Sequence, residues 1–265
     1  MHLPIYQTLF VATLSFPSGL VAAVPSGSRL SPKCHPGGNF DLSNWNLETS
    51  IDNGTGRPLI ISAAKLGAGK DGCKNGWHDE GPEHEWFYTD PKDGAMVINA
   101  PGYSDEHPCI RTSGSVHCRT EFHEVSPSSW PPNATTNHLH VKLVGLKGSN
   151  VVIGQIFQAG TGANKPYAEL YYHDSGSVIM GVATCPGGSN DGCNQDMQTI
   201  GTAPLGEPFT YDIRFEKNVL KAGLNGKMKT VKTYFMTPGA WFKFGNYNQG
   251  TDDASLHIFE MMVQH

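Results

Sequence analysis

Three short stretches carry residue types suited to chemistry on a charged ligand. The first is Trp241-Phe242-Lys243-Phe244-Gly245-Asn246-Tyr247-Asn248-Gln249. Its alternation reads as a β-strand, with Trp241, Lys243, Gly245, Tyr247 and Gln249 on one face. Phe242, Phe244, Asn246 and Asn248 take the other. A cation, a phenol and an amide then stand beside bare backbone at Gly245, where something must come close. That mix suits holding and protonating a polar ligand. The same pattern also describes an ordinary sandwich strand with a wet outer face.

The second stretch, Cys118-Arg119-Thr120-Glu121-Phe122-His123-Glu124, puts Arg119, Glu121 and His123 on one face. Such a row is too costly to bury unpaired, so it is expected to face water or a cleft. Arg suits a carboxylate because its planar fork donates two parallel hydrogen bonds. Glu121 would orient Arg119 or a neighbouring base; the bland alternative is a solvated salt-bridge row. In the third stretch, 151–158, Gln155 interrupts an apolar run and shares a face with Ile153 and Phe157. A Gln there must find hydrogen-bond partners, either as a structural buried amide or as a ligand contact.

The elements that must position these residues are strands. Strand patterns occur at 85–89, 95–100, 118–125, 137–146, 151–158, 167–173, 177–183, 209–215, 218–224, 229–235, 241–249 and 255–263. Leu224-Asn225-Gly226-Lys227 is a strong hairpin signal. Residues 50–82 and 101–117 read mainly as loop. No helical periodicity holds over three turns, and no repeat or linker follows residue 34. With 31 Gly, 18 Pro and 16% charged residues in 265, the chain reads as one all-β domain of two packed antiparallel sheets.

The formal charge of −5 and the lack of a basic run argue against a nucleic-acid partner. Residues 1–23 resemble a secretory signal, with an apolar stretch ending in small residues, although their n-region lacks Lys and Arg. No segment is long and apolar enough to span a bilayer, so no membrane partner is expected. Residues 24–38 read as a leader and 39–265 as the folded domain. Six Cys in a secreted chain favour three disulfides. Fifteen connectivities are open; Cys185–Cys193 and Cys109–Cys118 each bracket a Gly- or Pro-containing loop, which would leave Cys34–Cys73. Asn53-Gly54-Thr55 and Asn133-Ala134-Thr135 are glycosylation acceptors.

Taken together, the three stretches resemble the signature blocks of polysaccharide lyase family 7, the alginate lyases. The family blocks are Arg-(Thr/Ser)-Glu-(Leu/Val)-Arg, Gln-(Ile/Val)-His and Tyr-Phe-Lys-x-Gly-x-Tyr-Asn-Gln. This chain has Arg119-Thr-Glu-Phe-His123, Gln155-Ile-Phe157 and Trp241-Phe-Lys-Phe-Gly-Asn-Tyr-Asn-Gln249, in the same order. Asp41-Leu-Ser-Asn-Trp45, Asp93-Gly-Ala-Met-Val97 and Leu205-Gly-Glu-Pro-Phe-Thr-Tyr211 extend the similarity over about residues 39–265.

The resemblance implies a β-jelly roll with a concave substrate cleft, an acidic polysaccharide as partner, and β-elimination with no cofactor. Arg119 and Gln155 match the residues that neutralise the sugar carboxylate, and Tyr247 matches the catalytic tyrosine. Lys243 matches a cleft residue; Glu121, Tyr171 and Gln249 are further candidates for substrate contact. Two departures stand out: the catalytic His is Phe157, and the second Arg is His123. Relatives also carry basic residues on the strand that here reads Tyr167-Ala-Glu-Leu-Tyr-Tyr-His173, where Glu169 and Tyr171 lower the attraction for a polyanion.

In guluronate H5 and O4 lie on opposite faces, so elimination favours two separate groups. In mannuronate and glucuronate they share a face, and one Tyr can serve both steps. The expectation is a secreted, monomeric lyase for a mannuronate- or glucuronate-type 1,4-linked chain. Tyr247 would be base and acid, with His123 as a rival base. The alternative is a non-catalytic carbohydrate-binding relative. No metal site is expected: His138 and His140 share a strand face but lack a third ligand in the sequence, so a wet face is the default. His78, His84 and His107 read as surface, and Asp252-Asp253 as a polar turn.

Overall fold

The computed structural model describes residues 30–67, 72–79, 85–105, 109–112, 114–148, 150–162, 165–187 and 192–265. The expected signal at 1–23, the leader as far as residue 29, His84 and His107 lie outside the described residues.

Two antiparallel sheets form the molecule. One has eight strands: β1 (Trp45–Asp52), β2 (Pro58–Ile61), β5 (Cys118–Glu124), β7 (Asn150–Ala159), β8 (Pro166–His173), β9 (Ser177–Ala183), β10 (Gln195–Thr202) and β14 (Gly239–Asn248). The other has seven: β3 (Phe87–Thr89), β4 (Met96–Ala100), β6 (His138–Lys147), β11 (Phe209–Glu216), β12 (Val219–Leu224), β13 (Lys227–Thr230) and β15 (Ala254–Gln264). The spatial orders are β10-β9-β8-β7-β14-β5-β1-β2 and β13-β12-β11-β6-β15-β4-β3. Two four-residue helices, α1 (Pro36–Asn39) and α2 (Ala63–Leu66), lie near the start.

Alternation decides which side chains fill the core. Phe122 and Phe244 stack at 4.6 Å, Trp45 meets Phe244 edge-on at 4.8 Å, and Phe87 of the facing sheet meets Phe122 at 5.7 Å. All four are fully buried. Asn246 and Asn248 share this inner face and tie the sheets: Asn246 Nδ2 donates to Ile98 O and Ala254 O, and Asn248 Nδ2 to Ala100 O, Pro101 O and Asp252 O. Gly154 also faces inward, since a Cβ there would lie 2.9 Å from Ile213 Cδ1 and 3.0 Å from the Tyr211 hydroxyl. Its flanking residue Gln155 is thereby sent to the outer face.

Three elements were not legible as strands. β2 falls within the stretch expected to be loop, and β10 has the weak pattern Gln-Asp-Met-Gln-Thr-Ile-Gly-Thr because it is an edge strand with one face open. β1 runs eight residues and pairs with β5, although 45–52 carried no strand pattern in the sequence. The expected strand at 229–235 is instead β13 at Lys227–Thr230. The Asn225-Gly226 hairpin forms as expected, both residues having positive φ.

The disulfides are Cys34–Cys73, Cys109–Cys118 and Cys185–Cys193, with no free cysteine. Asn53 and Asn133 are exposed. Among the described residues no helix is long and apolar enough to cross a membrane.

Candidate active site

The outer face of the eight-stranded sheet carries the candidate residues on three adjacent strands, β7, β14 and β5. Lys243 pairs with Gln155 on one side and His123 on the other; Gly245 faces Glu121 and Tyr247 faces Arg119. On a flat outer face these side chains would be wet. Here Arg119, Glu121, Gln155, Glu169 and Lys243 are all buried, so the face is recessed into a cleft floor.

Glu121 is the hub of that floor. It accepts from Arg119 Nη1 at 3.2 Å, from Lys243 Nζ at 3.0 Å, and from the Gln155 amide. Reaching Gln155 takes its carboxylate across β14, a span of about 10 Å between outer strands. Glu121, expected to touch substrate, is 1% exposed, so it holds the donors instead. Of the row of ionisable groups expected to face water or a cleft, Arg119 and Glu121 are buried in the cleft floor and His123 is half-buried. Pairing makes this tolerable, since each charge meets an opposite one.

The bare backbone at Gly245 does meet the close neighbour that its identity announces. Its φ is +137°, and a Cβ would lie 2.8 Å from Thr120 O and 2.9 Å from Glu121 Cα. What comes close is the β5 backbone, where β14 stays in register with β5 but shifts register against β7 between Phe244 and Tyr247.

Arg119 also approaches Glu48 of β1, Nε to Oε1 at 3.5 Å, and its guanidinium lies 3.8 Å from the centroid of the Tyr247 ring. The Tyr247 hydroxyl is 3.0 Å from Ser115 Oγ. Because Ser115 donates to His117 O, Tyr247 is the donor in that bond. Tyr247 is half-buried, with one ring face on Arg119, and points away from the hydrophobic interior. Arg119, Gln155 and Tyr247 thus belong to one connected group, joined through Glu121 and the Arg119–Tyr247 stack.

His123 stands at the other end of the row. Its ring stacks on Trp241 at 3.9 Å, and Trp241 stacks on Phe157 at 4.6 Å. Burial, then the Lys243 charge, lower its pKa to about 4. Lys243 Nζ sits 4.9 Å from the Phe157 ring centroid. Gln249 lies past the end of β14, its amide folded back onto Tyr247 O at 3.3 Å. Tyr171 of β8 donates toward Glu169 Oε2 at 3.1 Å and Gln195 Oε1 at 3.0 Å. Burial and the adjacent Glu169 push its phenol pKa far up, so it stays protonated.

Several residues here had no signal in the sequence pattern. Ser115 and His117 lie in a segment read as loop, yet the Cys109–Cys118 bridge holds that segment beside Tyr247. The His117 ring meets Tyr247 edge-on at 6.0 Å, and its Nδ1 is buried without a hydrogen bond. Burial, then Arg119 and Arg111, lower the His117 pKa, which keeps the ring neutral. Glu48 pairs in register with Glu121, and burial raises its carboxyl pKa despite Arg119. Glu169, opposite Gln155 on β8, is raised by burial too. A large surface hollow lined by Ser50, Trp86, Pro101, Gly102, Lys147 and Asp252 contains none of these groups.

The family model for alginate lyase matches residues 40–265. No curated protein matches the sequence. Among solved structures, alginate lyase A1-II', a member of polysaccharide lyase family 7, is 25% identical with a TM-score of 0.71, covering 87% of this chain and 98% of that one. Alginate lyases from Pseudomonas aeruginosa and Klebsiella pneumoniae are each 22% identical, with TM-scores of 0.67 and 0.66. The first covers 85% of this chain and 99% of its own; the second covers 87% and 98%. The two-sheet architecture is accordingly their jelly roll. The chain belongs to the alginate lyase family and is a polysaccharide lyase working by β-elimination.

Proposed function

We propose that this protein is a secreted lyase for a mannuronate- or glucuronate-type 1,4-linked polyuronate, with Tyr247 as both base and acid. The observation that carries this reading is the pair of side chains at the two proton-transfer positions. Phe157, stacked on Trp241, has no proton to exchange, whereas the Tyr247 phenol is partly open and hydrogen-bonded. Secretion is supported by the signal-like first residues and by three disulfides.

For this reaction Tyr247 must start as the phenolate, its hydroxyl proton having passed to water; H5 then passes to the phenolate oxygen, and the electron pair of the broken C5–H5 bond delocalises into the sugar carboxylate. Arg119 and Gln155 on the cleft floor stabilise the charge that builds there. Both are nearly dry, so the substrate acid sheds water on meeting them and each interaction strengthens. The C4–O4 bond then breaks, C4=C5 forms, and O4 takes the proton from Tyr247. A single oxygen can do both only when H5 and O4 lie on one side of the ring, as in mannuronate and glucuronate. The stacked row His123–Trp241–Phe157 gives the site an apolar flank beside its charged groups, against which a neighbouring sugar can pack. Structures of A1-II' variants hold a product, GGG, and a substrate, GGMG; Phe157 is the reason for expecting a different preference here.

The deciding experiment is digestion of poly-guluronate, poly-mannuronate and glucuronan, followed by ultraviolet absorbance of the unsaturated product. Faster release from poly-guluronate would reject the reading. A second reading makes His117 the base and Tyr247 the acid, favoured by its half-buried, neutral ring standing edge-on to Tyr247. His117→Ala with undiminished turnover would remove it; the same variant test applies to His123, the rival base drawn from the sequence.

A further inference from the structure

On the opposite sheet, three side chains converge that the elimination chemistry does not use. Leu139 and Val141 of β6 fill the core, so His138 and His140 point outward. Asp212 of the neighbouring strand β11 lies in register with His140, between the buried Tyr211 and Ile213. Its Oδ1 is 2.7 Å from His138 Nε2 and 2.9 Å from His140 Nδ1. The missing third ligand is therefore supplied across the sheet, and the surface is not the wet one expected. His138 and Asp212 are buried, while His140 is 20% exposed along its side chain and leaves a way in.

The geometry points to a binding site for one divalent transition cation, zinc-like in its preferences, at His138, His140 and Asp212. All three ligand atoms lie within 4.8 Å of one another. Around a tetrahedral zinc with bonds of about 2.0–2.1 Å, neighbouring ligand atoms stand about 3.3 Å apart. Reaching that from 2.7 and 2.9 Å takes outward shifts of roughly half an ångström, within side-chain adjustment. Two imidazoles with one carboxylate select zinc, nickel, copper or iron(II) over calcium or magnesium, which favour all-oxygen shells. Because two adjacent strands supply the ligands, the cation would pin β6 to β11.

The test uses the full-length protein after dialysis against chelator, titrated calorimetrically with zinc chloride. Saturable uptake of one zinc per chain and a rise in Tm are expected, with calcium chloride producing neither. His140→Ala, at the half-open ligand, should weaken zinc binding at least tenfold and abolish the Tm rise. Asp93→Asn, in the separate Asp90–Asp93–His257 group, should leave both intact. Cobalt(II) added to the unmutated protein should give the visible absorption of a four-coordinate nitrogen–oxygen site, so the inference does not depend on a variant folding. No saturable uptake, no cobalt band, or uptake unchanged in His140→Ala would each overturn it.

Discussion

Replacing Tyr247 by Phe separates chemistry from architecture at this site. The ring stays, so the 3.8 Å stack under Arg119 is kept. What disappears is one O–H group and its 3.0 Å hydrogen bond to Ser115. A hydrogen bond of that kind contributes about 0.5–1.5 kcal/mol, and the lower end applies because Tyr247 is half-buried. The effect on rate is of another order. One positioned proton transfer is worth about 100- to 10,000-fold. If a single oxygen carries both transfers, the upper end is the minimum expected, or about 5 kcal/mol of barrier at ~1.4 kcal/mol per decade. The loss should fall on kcat with KM little changed, since Arg119, Gln155 and Lys243 keep their places around Glu121. Initial rates of unsaturated-uronate absorbance on glucuronan and poly-mannuronate give the first quantity, and a urea unfolding curve gives the second. Retention of more than about a hundredth of kcat by a folded Tyr247→Phe would refute the assignment of both transfers to this oxygen.

Other perturbations test the surrounding groups. Glu121→Gln removes the carboxylate that three donors share, and should cost about 3–5 kcal/mol in urea denaturation because two buried cations lose their partner. Phe157→His supplies a second proton-transfer group and should raise the poly-guluronate rate relative to poly-mannuronate; an unchanged ratio would mean that this position does not reach H5. Burial holds the Glu48 and Glu169 carboxyls above their ordinary 4.5, so the native state binds more protons than the unfolded chain just above that pH. Their contribution to stability is complete below 4.5 and is lost as pH rises through the native values. Urea midpoints measured across that window should therefore fall less steeply in Glu169→Gln than in the unmutated protein. Serine at both Cys109 and Cys118 opens the short loop that holds Ser115 and should cost ~3 kcal/mol, with a fall in kcat if the Ser115 bond positions Tyr247.

Much of this protein was written in its alternation. The period-two pattern of 241–249 fixed which side chains fill the core and which line the outer face, because a pleated strand allows no other distribution. The order of the three blocks carried the family, and residue types alone marked Phe157 as unable to transfer a proton. Pairing across the sheets was beyond reach, since it joins residues remote in the chain. Glu121 as the common acceptor of three strands, Ser115 beside Tyr247, and Glu48 beside Arg119 all arise from strand order and register. The role of Gly245 illustrates the division: its identity announced a close approach, and only the packed sheet revealed that the approaching group is the backbone of β5. Asp212 does the same for His138 and His140, which stand two apart in sequence while their shared partner lies 72 residues beyond His140. Local sterics are encoded residue by residue, whereas convergence of charges depends on which strands end up adjacent.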